Sequence, residues 1–295
     1  MKRTQDGITA YVAGGLGNQL FILGAAWEQA QRLGCTLYLD ASTFEVNRLQ
    51  PYGLHLIETP AVLLKPNESP WRTVRVPTGR HLPVPRRFPG RVYMERSVDR
   101  YSDAVNRVRP GTTLLGYFQS SRYFPTVAGD LVESLWATAE TPEETAILAE
   151  IRSRPAITLH LRRGDYLTAP EGRVFLATVA YARRAVALLR RTGLDHVVRV
   201  FTDSVDVVRS ELGDAAEGFE FVERTLPLST VGTLKAMAAG SAMIMSNSSF
   251  SWWAATLMRS RAADEPLVVA PRPWTASGGA RADLLEPGWV TLDAR

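Results

Sequence analysis

The chain has 295 residues, of which 45% are hydrophobic and 22% charged, and its formal net charge is +4. This composition is typical of a globular enzyme with one large or two smaller α/β domains, and it excludes an intrinsically disordered chain. The single cysteine, Cys35, excludes an intrachain disulfide. No apolar stretch approaches the roughly 18 residues that span a bilayer. Because the N-terminus also carries no apolar signal segment, we expect a cytoplasmic protein, with peripheral contact at the inner face of the membrane left open.

The first part of the chain predicts a strand, a helix and a second strand. Residues 8–13 form a short apolar run, and residues 36–39 form the next strand, which ends at Asp40. Between them, apolar residues recur at helical spacing before Gly34, at Leu20, Leu23, Trp27, Ala30 and Leu33. Residues 60–112 lose this periodicity and are rich in proline and arginine, with ten arginines between Arg72 and Arg109. We therefore expect a long segment with little regular structure there, of the kind that is mobile or forms a binding surface.

Strands and helices alternate in the second half of the chain. This alternation predicts a mostly parallel sheet covered on both faces, and we place the boundary between two doubly wound halves near residue 150. The predicted strands are residues 156–161, 197–201, 219–222, 242–245 and 267–270, and the predicted helices are residues 174–191, 204–212, 230–239 and 250–258.

Polar residues gather at strand-to-helix corners, which are the places where open parallel sheets bind ligands. The first corner, Gly14 to Gln19, reads GGLGNQ and leads into a helix whose free N–H groups could meet an anion. The second, His160 to Tyr166, reads HLRRGDY. Its two arginines, Arg162 and Arg163, are costly to bury unless they meet anions, and we expect Asp165 to meet one and a diphosphate the other.

Two further corners carry hydroxyl, amide and carboxylate groups. Residues 246–253 read SNSSFSWW and open a helix. Their hydroxyls and amide either cap the helix or form a phosphate seat, and Trp252 and Trp253 are expected to be core anchors. Asp203, in the sequence FTDS, either binds a guanine edge or caps its helix.

No metal site is predicted. The sequence contains no Asp-x-Asp pair, and its four histidines and one cysteine have no recognisable metal-ligand spacing. If a nucleoside diphosphate leaves during the reaction, cationic side chains and helix N-termini must therefore stabilise it.

Taken together, these motifs resemble the bacterial type of the α-1,2-fucosyltransferase family, glycosyltransferase family 11. Five blocks occur in the family's order: GGLGNQLF from Gly14, GYFQS from Gly116, HLRRGDY from His160, FTDS from Phe201 and SNSSFSWWAA from Ser246. The resemblance implies an α/β, GT-B-like fold of two Rossmann-like halves facing across a cleft. Residues 1–150 would be the acceptor side, and residues 151–295 would bind the GDP-sugar.

The family's chemistry is implied in the same way. It is an inverting, metal-independent transfer of fucose from GDP-fucose to a glycan hydroxyl, O2 of a galactose in an α-1,2 linkage, with no cofactor. Arg162 is the expected stabiliser of the leaving diphosphate and Asp165 the candidate base, and Asn18 is counted with them as catalytic. The donor-binding positions carried over are Gly15, Gly17, His160, Arg162, Arg163, Asp203, Asn247, Ser248 and Ser249.

Two alternatives and the partners complete the expectations. The Gly14–Gly17 loop could serve an NAD-dependent oxidoreductase, with Asp40 near the ribose-binding position, although Leu20 fills the place of the third glycine. Alternatively, the arginine-rich stretch 72–109 could make the chain a non-enzymatic anionic-surface or glycan-binding module. As partners we expect a GDP-sugar and an oligosaccharide or glycolipid acceptor, and no nucleic acid. The sequence leaves the oligomeric state open.

Overall fold

The chain divides into two compact units, Met1–Thr138 and Ala139–Arg295. The computed structural model describes residues 6–46, 50–75, 81–86, 90–97, 100–164, 177–223, 225–274 and 283–295. The sequence placed the boundary near residue 150, and the structure places it earlier, between Thr138 and Ala139. The reason is that the helix over Pro142–Ser153 belongs to the second unit.

The first unit is built on a five-stranded sheet of parallel strands in the order β3-β2-β1-β7-β6. Strands β4 and β5 form a separate antiparallel hairpin. The strands are β1 Gly7–Tyr11, β2 Thr36–Asp40, β3 Val62–Leu63, β4 Trp71–Arg75, β5 His81–Pro85, β6 Arg91–Met94 and β7 Thr112–Leu115, and the helices are α1 Leu16–Leu33 and α2 Ala128–Ala137. Short 3₁₀ turns cover Ser42–Glu45, Leu54–Leu56, Asp103–Arg107 and Ser121–Tyr123.

Helix α1 confirms the predicted strand–helix–strand start. Leu20 and Leu23 are fully buried, as the apolar spacing predicts. The helix ends at Gly34, whose φ of 59° is left-handed and whose N–H bonds to the carbonyls of Ala30 and Gln31. Glycine adopts that conformation without steric cost, which is why the helix ends there.

The prediction of little regular structure for residues 60–112 is wrong. This segment holds β3 to β6 and begins β7. In β4, Trp71 and Thr73 are buried and Arg72 between them is exposed, so Arg72 occupies an outward position of an alternating strand. Among the described strands, β6 lies at one edge of the sheet.

The second unit contains a six-stranded parallel sheet in the order β10-β9-β8-β11-β12-β13. Its strands are β8 Ala156–Leu161, β9 Val197–Thr202, β10 Glu220–Val222, β11 Ala242–Ile244, β12 Leu267–Arg272 and β13 Val290–Asp293. Its helices are α3 Pro142–Ser153, α4 Val179–Arg191, α5 Val205–Leu212, α6 Thr230–Ala238 and α7 Ser249–Arg261, with a 3₁₀ turn over Gly213–Ala216.

The predicted order of elements in this unit is confirmed, with three differences. Helix α4 begins after Thr178, whose side chain accepts a hydrogen bond from the N–H of Tyr181, and so starts later than residue 174. Helix α3 and strand β13 are additional elements. Trp252 and Trp253 are buried in edge-to-face contact, 5.1 Å between ring centroids, which confirms them as core anchors.

Both sheets reverse their strand order at an inner strand. In the first unit the chain runs outward through β1, β2 and β3 and then fills the other side of β1 with β6 and β7. In the second it runs through β8, β9 and β10 and then places β11, β12 and β13 on the other side of β8. Each unit, taken by itself, therefore has the Rossmann-like α/β build that was predicted. The carboxyl ends at such a reversal are where open α/β sheets bind ligands.

Among the residues described, no helix is both long and apolar enough to cross a membrane.

Candidate functional site

The predicted donor-binding motifs of the second unit meet at the reversal point of its sheet. Strand β8 pairs with β9 on one side, where Leu161 lies opposite Thr202, and with β11 on the other, where Leu159 lies opposite Ile244. The residues that follow these three strands are therefore neighbours at one edge. They are Arg162 and Arg163 after β8, Asp203 after β9, and residues 245–248, which lead into α7, after β11.

Asp203 shapes the loop after β8. Its Oδ1 accepts hydrogen bonds from the backbone N–H groups of Arg163, at 2.7 Å, and Gly164, at 2.9 Å. A Cβ on Gly164 would come within 2.5 Å of Oδ2 of this carboxylate, so a larger residue there would displace Asp203 or the loop. Oδ1 of Asp203 therefore serves the β8 loop and neither a ligand nor the helix that follows this residue.

The two adjacent arginines differ in their surroundings. The side chain of Arg163 is 3% exposed; its Nε donates to Glu211 at 2.9 Å, and one terminal nitrogen donates to the carbonyls of Arg162 and Ala177, both at 3.1 Å. Arg163 therefore braces the loop from inside. The expectation that it binds the donor together with Arg162 has to be corrected on this geometry, since its guanidinium is already engaged by protein groups.

Arg162 is the more accessible member of the pair. Its side chain is 24% exposed, and its Nε lies 3.9 Å from Oδ2 of Asp203. The expected partner Asp165 lies outside the described residues. A partly exposed guanidinium at the end of an interior strand is suited to a phosphate or carboxylate of a ligand.

His160 is buried and neutral. Its Nδ1 contacts the hydroxyl of Ser251 and lies 3.2 Å from that of Ser246. Burial and, to a smaller extent, the positive charge of Arg162 lower the pKa of His160 to about 4, against the opposing effect of Asp203. Sequence reasoning placed His160 in the site but missed its partner Ser251, for which the only signal was its place in the SNSSFS motif.

The start of α7 combines a capped helix end with one accessible hydroxyl. Ser248 is buried and its Oγ accepts from the N–H of Phe250 at 3.2 Å, which confirms the capping interpretation for this residue. Asn247 is also buried and donates to the carbonyl of Trp274 at 3.2 Å. Ser249, the first helical residue, is half-buried, and the first turn carries no acidic side chain. The positive end of the helix dipole is therefore not neutralised by a carboxylate of that turn.

The glycine-rich corner of the first unit is held by Gln19, a residue that sequence reasoning did not single out. This fully buried side chain donates to the carbonyls of Gly14 and Pro51, both at 2.8 Å, and accepts from the N–H of Gly53 at 2.8 Å. Gly14 has a φ of 78°, and a Cβ there would lie 2.7 Å from Nδ2 of Asn18. The corner is therefore a fixed turn that only glycine fits at that position.

Three further predicted positions lie at this corner. Gly15 is the N-cap of α1, and Gly17 and Asn18 lie in the helix's first turn. The side-chain oxygen of Asn18 accepts from Nε2 of Gln119 at 2.6 Å, which joins the loop after β1 to the loop after β7. The GGLGNQ and GYFQS motifs, 101 residues apart at this bond, therefore form one surface at the reversal point of the first sheet.

Asp40 does not fit the role that a dinucleotide site would give it. Its side chain is 1% exposed, and it accepts from the N–H of Ser42 at 3.0 Å and from the hydroxyl of Ser69 at 2.5 Å. A carboxylate held in this way does not offer both oxygens to a ribose.

No group of three or more His, Cys, Asp and Glu side chains that could hold a metal ion occurs within the described ranges.

The profile of one protein family matches the chain over residues 111–293, and its description is "Glycosyl transferase family 11". The chain belongs to this family. The matched region runs from the end of the first unit through the second and includes the GYFQS, HLRRGDY, FTDS and SNSSFSWW motifs. The resemblance drawn from the motifs is thereby confirmed. The protein is a glycosyltransferase, and the oxidoreductase and non-enzymatic alternatives are wrong.

Two relatives in Escherichia coli are similar to this family 11 chain. An alpha-1,2-colitosyltransferase is 25% identical over 277 residues, which cover 90% of this chain and 92% of the relative. The O-antigen biosynthesis glycosyltransferase WbnK is 27% identical over 137 residues, 46% of this chain and 44% of the relative.

Solved structures of fucosyltransferases are more distant. The fucosyltransferase NodZ from Bradyrhizobium is 17% identical with a TM-score of 0.47, covering 85% of this chain and 92% of its own. POFUT1 in complex with GDP is 14% identical with a TM-score of 0.45, covering 90% of this chain and 98% of its own.

Proposed function

We propose that this family 11 glycosyltransferase transfers fucose from GDP-fucose to a glycan hydroxyl, O2 of a galactose, in an α-1,2 linkage with inversion at the anomeric carbon. The observation that carries the proposal is that Arg162, after β8, and the start of α7, after β11, follow neighbouring strands at the reversal point of the second sheet. The α-1,2 linkage is supported by the name of the relative that covers most of the chain. The acceptor is an oligosaccharide or a glycolipid.

Arg162 and the N-terminus of α7 would hold the donor diphosphate. A guanidinium presents a planar fork of N–H donors to phosphate oxygens, and a helix start adds backbone N–H groups and a positive partial charge. Ser249 adds a half-buried hydroxyl at the same place. Ser248 and Asn247 would support this seat from beneath, since both side chains are buried.

The reaction breaks the bond between the sugar C1 and the diphosphate oxygen and forms a bond between C1 and the acceptor oxygen. Negative charge grows on the departing GDP, and Arg162 stabilises that charge. The acceptor hydroxyl loses its proton as the new bond forms, and Asp165 is the proposed recipient. Asp203 keeps Arg162 and the β8 loop in place. Gly15, Gly17 and Asn18 stay candidates for substrate contact.

His160 would act as a neutral group. With its pKa near 4, its imidazole carries no charge at neutral pH. It orients the hydroxyls of Ser246 and Ser251, and we assign it no proton transfer in the reaction. This fits a site in which the positive charge that meets the diphosphate comes from an arginine.

A second donor is favoured by the colitosyltransferase relative. Colitose is fucose without the 3-hydroxyl, so a pocket for one can admit the other unless it hydrogen-bonds that hydroxyl. A site that does hydrogen-bond it rejects the deoxy sugar strongly, because its own polar groups are left unpaired.

The deciding experiment is a donor panel with lactose and other galactosides as acceptors, run with and without EDTA. GDP-fucose should give transfer that EDTA leaves unchanged, and the product linkage should be α-1,2 by NMR. Transfer only from GDP-colitose would replace fucose as the donor sugar. Turnover that depends strictly on added magnesium or manganese would contradict the assignment of the diphosphate to Arg162 and α7.

A further inference from the structure

The loop after β7, residues 116–119, has an unusual backbone. Phe118 has a φ of 50°, in the left-handed region, which is an outlier for a bulky side chain. Its ring is fully buried and packs against Tyr93, with 6.2 Å between ring centroids, and against Tyr123, at 5.2 Å. Tyr117 beside it is 38% exposed. Backbone strain of this kind persists only where the surroundings enforce it, and it gathers at functional sites.

Glu95, the residue after β6, enforces this backbone. Its own N–H donates to the carbonyl of Leu115 at 2.8 Å, which continues the pairing of β6 with β7. Its Oε2 accepts from the N–H of Tyr117 at 2.8 Å and from that of Phe118 at 3.1 Å. Hydrogen bonds to an ionised acceptor are among the stronger ones in proteins. A Cβ on Gly116 would lie 2.4 Å from Cβ of Glu95, so this close approach requires the glycine.

The same contacts decide what kind of ligand this loop suits. The N–H groups of Tyr117 and Phe118 could have bound a phosphate, but a carboxylate already occupies them. Its negative charge disfavours a second anion nearby. What the loop offers is an exposed aromatic ring at Tyr117 and the amide pair of Gln119 and Asn18. A neutral saccharide fits this combination, because its C–H face packs on a ring and its hydroxyls bond to amides.

We propose that Glu95 is a positioning residue for the acceptor, acting through the backbone of residues 117–119 to place Tyr117 and Gln119 against the acceptor saccharide. The inference rests on the proposed glycosyl transfer and adds the residues that read the acceptor. It assigns no catalytic step to Glu95, which acts only through the loop that it holds.

The test compares Glu95→Ala and Glu95→Gln with the wild type and with Glu45→Gln. Glu45 is a matched control in the same unit, where it pairs loosely with Arg86 at 3.8 Å on the surface. Hydrogen exchange of the peptide that covers residues 112–123 reports the hold on the loop. Steady-state kinetics give the KM for lactose, the KM for GDP-fucose and the rate of GDP-fucose hydrolysis by water.

We expect Glu95→Ala to speed exchange in that peptide and to raise the acceptor KM about tenfold or more, the effect of losing charge-assisted bonds. Glu95→Gln keeps one side-chain oxygen as an acceptor, so its exchange rate and acceptor KM should lie between those of wild type and Glu95→Ala. The donor KM and the hydrolysis rate should stay within about twofold of wild type, since uniform loss of acceptor binding leaves them alone. Tyr117→Ala should raise the acceptor KM without faster exchange at the 118 amide.

Each other result overturns part of the inference. Unchanged exchange in Glu95→Ala removes the positioning role, and faster exchange with an unchanged acceptor KM removes the acceptor role. If the donor KM rises and the hydrolysis rate falls by as much as the acceptor KM rises, the variant has a general structural defect instead. If the wild type turns over no GDP-sugar, the proposed function fails and the acceptor assignment with it, while the exchange data still decide whether Glu95 holds the loop.

Discussion

Replacing Arg162 and Arg163 one at a time by lysine separates the proposed chemistry from the internal support of the loop. Arg162→Lys keeps the charge at a side chain that is 24% exposed but loses the planar fork. Removing one donor to a developing negative charge costs on the order of a hundredfold in kcat, or about 3 kcal/mol in the barrier. We expect that loss in kcat with an unchanged melting temperature.

Arg163→Lys should do the reverse. Arg163 is 2% exposed and makes one bond to Glu211 and two to backbone carbonyls. A lysine ammonium cannot reproduce the geometry of these three hydrogen bonds, so we expect a loss of about 2 kcal/mol in the free energy of unfolding. That corresponds to roughly 4–8 °C in Tm for a unit of this size. The enzyme that remains folded should keep a kcat within a few-fold of wild type.

The assay is GDP release from GDP-fucose and lactose, with melting followed by tryptophan fluorescence. Arg154→Lys is the matched control, since Arg154 is 57% exposed and bonded to surface glutamates. A kcat for Arg162→Lys close to wild type would refute the diphosphate clamp. A large fall in kcat for Arg163→Lys at an unchanged Tm would refute the internal role given to that residue.

Three further perturbations follow from the site. The pKa of His160 lies near 4 in the folded state, below its usual 6.5, so the unfolded chain binds the proton first. The free energy of unfolding should therefore fall by up to about 3 kcal/mol as the pH drops from about 6.5 to about 4. Urea titrations of wild type and His160→Gln check this, and an equally steep fall in the variant would contradict it. Glu144→Gln weakens a capping box and a bond to the N–H of Ser229 and should cost about 1–2 kcal/mol in urea unfolding, whereas Glu143→Gln on the exposed face should cost nothing measurable. Gly164→Ala places a methyl group 2.5 Å from a carboxylate oxygen of Asp203 and should weaken GDP binding, measured by calorimetry, at least tenfold. Gly129→Ala, whose added methyl group has no atom within 4 Å, serves as the control. Equal GDP affinities of the two variants would show that the loop is not fixed.

The sequence predicted the second unit well, because its signals are local. Alternating apolar runs and helix-ending glycines give the order of elements, and the strand-end motifs then share an edge by the geometry of a parallel sheet. The failure over residues 60–112 also has a local cause. In β4 the exposed Arg72 lies between the buried Trp71 and Thr73, but the abundance of arginine and proline around this short strand hid its period of two.

The division of roles inside the site was not predictable from local sequence. Arg162 and Arg163 are adjacent and chemically identical, and what separates them is Glu211, 48 residues away from Arg163. Asp203 was expected to face a ligand or a helix, and it holds the neighbouring loop because β8 and β9 are paired. Such assignments depend on which strand lies beside which, a property of the sheet as a whole.

Glu95 follows β6, which among the described strands pairs with β7 alone. A change of length or register there breaks one row of backbone bonds, whereas the same change in β1 or β8 would break two. Glu95, which supports the Tyr117 loop, thus follows an edge strand, where a change in the chain disrupts the fewest backbone hydrogen bonds. Exchanging residues 91–95 between family 11 chains, which leaves the inner strands β7 and β1 unchanged, is therefore the natural way to alter the saccharide preference without touching the nucleotide side.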